Sequence, residues 1–169
     1  MAPSAPEMNP SPNPRVPYWR IWRDAEGISH QHQAWLENFE LAHLSAGMGS
    51  IWRTPTQAGT TGTLLLHVVP GVIYDWHENP APQWIVTLSG HWFLETMDGH
   101  RVEMGPGELA FGGDQDCRCI EGRRGHRSWV VGEEPAVLML IQVERIPPEV
   151  AAAGQGDGWA GTSDAVERL

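Results

Sequence analysis

Residues 71–90 read "GVIYDWHENPAPQWIVTLSG" and hold the pattern on which the fold turns. The second half, "QWIVTLSG", is a short run of β-branched and aromatic residues bounded by proline and glycine, which predicts a strand. In an extended chain residues two apart share a face. His77 and Asn79 therefore point the same way, and Gln83 keeps their parity, followed by Ile85 and Thr87; Trp84, Val86 and Leu88 take the other face. Pro80 and Pro82 interrupt the strand between Asn79 and Gln83. A polar set turned into a core needs partners, because buried amides and imidazoles left unpaired are costly.

Outward from this stretch, β-rich runs recur at turn-punctuated intervals: "TGTLLLHVV" from Thr61, "HWFLETMDG" from His91, "HRVEM" from His100, "GELAFGG" from Gly107, "RSWVVG" from Arg127 and "AVLMLIQVE" from Ala136. That spacing predicts an all-β protein, an antiparallel sandwich or barrel with little helix. Asp98-Gly99 between two alternating segments is a hairpin turn that needs positive φ, and Gly90 and Gly107 punctuate neighbouring strands. Around Ala34 to Leu41 the pattern allows either a helical turn or a strand. The 169 residues suit one hydrophobic core. The expected organisation is a disordered proline-rich tail over residues 1–17, a single domain over 18–146 and a flexible tail over 147–169.

The charge balance is −10, with eleven basic residues that are all arginine. A surface so negative argues against nucleic acid or an anionic membrane as partner. The absence of lysine excludes Schiff-base chemistry on a lysine. Two cysteines in a Cys-x-Cys pair, Cys117 and Cys119, suit a reducing, cytoplasmic setting better than a structural disulfide. The N-terminal residues lack the basic start and apolar run of a secretory signal, and no apolar stretch is long enough to span a bilayer.

Gly71, His77, Asn79, Gln83 and Gly90 follow the spacing G-x5-H-x-N-x3-Q-x6-G, which resembles the first motif of the cupin superfamily with Asn for its second His and Gln for its Glu. The second motif starts at Gly107. Strict spacing puts Arg118 at its histidine, whereas an insertion, "DQDCRCIEGRR", leads to Gly125-His126 before an apolar strand; His126 is the preferred match, with Arg118 and both cysteines on an exposed, flexible loop. The resemblance runs from Leu64 to Val143 and is to small single-domain bacterial cupins. It implies a jelly-roll β-barrel that forms a homodimer and acts on a small molecule held inside the barrel. "VPYWRIW", from Val16, is a candidate for an N-terminal strand exchanged between subunits.

Cupin metals are typically held by three histidines and a glutamate, and the matching set here is His77, Asn79, Gln83 and His126. The metal would be a divalent Fe, Ni, Mn or Zn. Neutral amides are weaker donors than the imidazole and carboxylate they replace, so Asp75, Glu78, Asp114 or an anionic substrate would have to balance the charge. The chemistry implied by the resemblance is that of an oxygenase (an oxidoreductase), or alternatively a lyase or isomerase. Without a metal, His77 or His126 can serve as general base or acid, with Asp75, Glu78 or Glu95 as acidic partner, although parity puts Glu78 opposite His77. A third reading is a metal-free binding or sensory module.

Of nine tryptophans, Trp76, Trp84, Trp92 and Trp129 fall on or beside the expected core strands and could floor a pocket with Ile85 and Thr87. Core packing or a subunit interface would use them as well, together with Trp19, Trp22 and Trp35. His67, in "LLLHVV", either lines the cavity or is a satisfied core histidine. His30 and His32 read as a solvated surface pair.

Overall fold

A computed structural model describes residues 13–47 and 49–153. The strands are β1 (Val16–Arg23), β2 (Ser29–Leu36), β3 (Glu40–Ala42), β4 (Ile51–Arg53), β5 (Thr61–Val68) and β6 (Ile73–His77). They continue as β7 (Gln83–Ser89), β8 (His91–Thr96), β9 (Arg101–Met104), β10 (Leu109–Gly113), β11 (His126–Val131) and β12 (Ala136–Val143), followed by one short helix, α1 (Pro148–Ala152).

Eight of these strands form a rolled-up hairpin. β5 pairs with β12, β6 with β11, β7 with β10 and β8 with β9, all antiparallel and nested one inside the next. The roll closes as two facing sheets, β2-β1-β10-β7-β12-β5 and β6-β11-β8-β9. This is the expected all-β jelly roll. β1 joins the larger sheet beside β2 and runs parallel to β10 of the same chain. The open question over Ala34 to Leu41 resolves as strand, the end of β2 and then β3.

Alternation decides what lies between the sheets. Ile85, Trp92, Leu94, Val102, Ala110 and Leu138 interdigitate there as the main core. The other face of the larger sheet carries Tyr18, Trp84 and Phe111, in edge-to-face contact, and Val150 of α1 packs into this second cluster fully buried. Packed structure thus starts at Val16 and reaches past residue 147, wider than the expected 18–146, because the apolar outer face of the sheet needs a cover. The outermost parts of both expected tails, residues 1–12 and 154–169, lie outside the described residues. Gly99, in the turn between β8 and β9, has φ +85°, as the Asp-Gly turn requires.

Candidate functional site

Between the sheets lies a cavity of about 280 Å³, lined from β5, β6, β7, β8, β11 and β12. Its apolar wall includes Leu64, Leu66, Ile85, Trp92, Leu138 and Leu140, and its polar wall His77, Asn79, Gln83, His126, Ser128 and Gln142. Strand alternation places most of these: Leu64 and Leu66 on β5, Gln83 and Ile85 on β7, and Leu138, Leu140 and Gln142 on β12. A register shift between His126 and Ser128 lets Tyr74 and His77 of β6, three residues apart, both border the cavity.

The polar wall is one hydrogen-bonded chain with a fixed direction. His126 Nδ1 lies 2.6 Å from Asp114 Oδ2, and both side chains are almost completely buried. Burial alone would raise the Asp114 carboxyl, but the charge of His126 and hydrogen bonds from His126 and Asn79 outweigh it and hold the group below its ordinary value. An ionised carboxylate only accepts. Asn79 must therefore turn its Nδ2 to Asp114 Oδ1 (2.7 Å), which leaves Asn79 Oδ1 to accept from Gln83 Nε2 (2.6 Å) and Gln83 Oε1 to accept from Gln142 Nε2 (3.2 Å). The strand register makes this possible, because Gln83 lies opposite Gly112 on one side and Gln142 on the other. A side chain at Gly112 would overlap the Asn79 amide.

His77 stands opposite His126 in the β6–β11 ladder, with ring centroids 4.5 Å apart. Its Nδ1 lies 2.6 Å from the Asp75 carbonyl oxygen, an acceptor, so that nitrogen carries the proton. Burial, and then repulsion from His126, pull the His77 imidazole below its ordinary value. Both rings thus have Nδ1 engaged, and Nε2 is the nitrogen left for the cavity.

The sequence-predicted residues separate into two groups. His77, Asn79, Gln83, His126, Ile85 and Trp92 meet at the cavity, and Thr87 lies buried beneath it, accepting from Trp92 Nε1 at 2.9 Å. Trp76, Trp84 and His67 do not line it. Trp84 has the parity opposite to Gln83 and packs edge-to-face with Tyr18 and Phe111 on the outer face. Trp76 lies under Arg127, whose guanidinium is 5.3 Å from its ring, and His67 alternates outward from Leu66 and Val68 on an exposed edge strand, neither core nor cavity. Trp129 borders the cavity, but its ring stacks against Phe93.

None of the acidic partners proposed for the histidines holds His126. Glu95 turns outward to Arg101 and Arg127, Glu78 accepts from the Cys117 backbone N–H at 2.6 Å, and Asp75 offers its carbonyl. Asp114 takes the role, and Gln142 extends the chain. Only the second had a local signal: it is in phase with Leu138 and Leu140 along "AVLMLIQVE". Arg118 is on the loop between β10 and β11, exposed, with its backbone N–H donating to Gly27 O at 2.9 Å. Cys119 is exposed as expected, but Cys117 is buried beside Asp114, a correction to the exposed-loop expectation. His30 and His32 are not a free surface pair either: His30 bridges Asp24 and Asp98, and His32 accepts from Trp22 Nε1 at 3.0 Å.

The expected set of four metal ligands does not fit this arrangement. The Asn79 and Gln83 oxygens each accept from the next amide, and both oxygens of Asp114 face hydrogen-bond donors. Two imidazoles remain, with no carboxylate to complete a shell or balance a divalent charge. Among the described residues no three His, Cys, Asp or Glu side chains converge as a metal site.

No family model and no curated protein matches the chain. Solved structures similar to it include a cupin-2 domain protein from Shewanella frigidimarina, at 14% identity and TM-score 0.39, over 53% of this chain and 76% of that one. A sugar phosphate isomerase from a cupin superfamily, of Silicibacter pomeroyi, is similar at 18% identity and TM-score 0.41 over 52% of each chain. A protein with a double-stranded β-helix domain from Klebsiella pneumoniae is similar at 18% identity and TM-score 0.38, over 52% of this chain and 70% of that one. The deciding observation is internal: four nested antiparallel pairs roll up around the motif residues His77, Gln83 and His126. The fold is the cupin fold. In this jelly roll Asn79 and Gln83 connect Asp114 to the far wall of the cavity.

Proposed function

We propose that the chain is a small-molecule-acting cupin in which His126, held by Asp114 and set beside His77, moves protons on a largely apolar ligand without a metal. The observation that carries this is the buried contact from His126 Nδ1 to Asp114, which leaves Nε2 as the only ring nitrogen available to the cavity. A buried carboxylate behind an imidazole fixes its tautomer and stabilises the imidazolium formed when it takes a proton.

In the reaction this supports, a substrate C–H bond breaks and the proton passes to His126 Nε2, while the electron pair stays on the substrate. Return of the proton at a second carbon is an isomerisation; expulsion of a leaving group by the pair is an elimination. His77, neutral near pH 7 because burial and His126 depress it, is a second acceptor on the same wall. His126 and His77 are the catalytic residues of this reading, and Asp114 is a positioning residue. The oxygenase alternative needs the four-ligand shell that the amide chain does not supply.

A panel of small carbonyl compounds incubated with the protein in heavy water tests the proposal by NMR. The expected result is deuterium uptake at an acidic carbon that survives chelator treatment and is lost in His126→Ala. Uptake abolished by chelator and restored by Fe(II), Ni(II), Mn(II) or Zn(II) would overturn it. Ligand binding with no exchange for any bound compound would leave the cavity a binding module.

A further inference from the structure

No arginine or lysine lines the cavity, and its polar wall runs over the buried Asp114 carboxylate. The sixteen lining residues include no arginine, and the chain contains no lysine. Arg127, the nearest arginine along the strand to His126, is bound to Glu95 on the outer face. On the wall itself, both imidazoles have Nδ1 engaged, at Asp114 and at the Asp75 carbonyl, so the neutral form of each ring offers Nε2 as an acceptor, and the rings stand 4.5 Å apart. The amide chain has the same polarity. Because Asp114 can only accept, each amide nitrogen turns toward it, and the end of the chain, Gln142, presents Oε1 toward Gly62 of β5.

Carboxylates and phosphates bind where arginine, lysine or clustered N–H donors converge. Here the convergence has the opposite sign. We infer that the polar end of the ligand is a small organic cation, an alkyl- or arylammonium group that donates to His77 Nε2 and His126 Nε2, while its apolar body lies among Leu66, Ile85, Trp92 and Leu138. Asp114, one hydrogen bond behind His126, supplies the compensating charge in a water-poor setting where it acts strongly. Trp92 and Tyr74 add aromatic side chains to the lining. This inference rests on the cavity being the ligand site, as proposed above, but not on proton transfer.

Three probes of one shape separate the signs: benzylamine, protonated at neutral pH, benzyl alcohol and benzoate. Their binding to the chelator-treated full chain is measured by NMR titration. Benzylammonium is expected to bind about tenfold tighter than benzyl alcohol, with benzoate weakest. In Asp114→Asn, checked for folding by circular dichroism, the preference for the cation should fall to about threefold or less; if that variant does not fold, the wild-type order alone decides. Benzoate binding as tightly as benzylammonium, or benzylammonium no tighter than the alcohol, would overturn the inference. The expected order without any heavy-water exchange would remove only the catalytic reading; exchange with the reverse order would remove only this one.

Discussion

Gly112 and Asp114, two residues apart, set the chemistry of the cavity wall from behind it. Gly112 contributes empty space: a methyl group there would overlap the Asn79 amide where it reaches Asp114. Gly112→Ala should destabilise the fold by about 1–3 kcal/mol, the usual cost of overpacking, measured by urea unfolding. A cost within error of zero would mean that the amide chain can step aside. Asp114→Asn, which leaves His126 facing an amide, should cost a similar amount, about 1–3 kcal/mol, by the same measurement. The Cys117 thiol donates to the Asp114 backbone carbonyl at 3.1 Å and is pushed up to about 11 by burial and then by the Asp114 charge. In the native protein at mildly alkaline pH a thiol reagent should therefore label Cys119 quickly and Cys117 slowly, and both equally once the protein is unfolded. Equal native rates would contradict the buried placement of Cys117.

At the scale of elements, His30 fastens β2 to two turns. Its ring contacts Asp98, after β8, at 2.8 Å and Asp24, after β1, at 2.9 Å. Burial alone would lower His30, but the hydrogen bonds to Asp24 and Asp98 prevail and raise it above its ordinary 6.5. A histidine raised on folding stabilises fully below its unfolded value and loses that contribution as the pH rises through the folded value. Stability should accordingly decline as the pH rises above about 6.5, and His30→Gln should flatten the decline in urea titrations across that window. An unchanged profile in the variant would assign the decline to other groups. This clasp also shows where sequence reading stops. Strand parity puts Gln83, Ile85 and Thr87 on one face of β7 and sends Trp84 to the other, because alternation is local; His77, on β6 of the facing sheet, and Asn79, between the strands, reach the same cavity through the roll and not through a shared strand face. It has no access to pairs formed by the roll, such as His30 with Asp98 or His126 with Asp114, which depend on which turns the closed sheets bring together. Trp76 and His67 illustrate the same limit: composition marks them as pocket material, and the direction each strand faces decides otherwise.

Across the whole molecule, one edge of the roll stands out. Residues 61–74 carry no Asp, Glu, Lys or Arg, and Leu65, Ile73 and Val72 are exposed there. Long uncharged edge strands invite pairing with another chain, and a second copy of this protein, forming the homodimer expected from the sequence, is the partner proposed for it. Sedimentation equilibrium should show a dimer, and Leu65→Glu combined with Ile73→Glu a folded monomer; a monomeric wild type would remove that proposal. No helix among the described residues is long and apolar enough to cross a membrane. Inside the roll a buried carboxylate orients a histidine toward a mostly apolar cavity. Isotope-edited NMR of the imidazole nitrogens, on untagged protein purified without added metal and assigned with His77→Ala and His126→Ala, tests it most directly. His77 should carry its proton at Nδ1 with Nε2 free at neutral pH, and His126 should carry a proton at Nδ1 toward Asp114; His126 protonated at Nε2 alone, or either Nε2 bound to a co-purified metal, would contradict this.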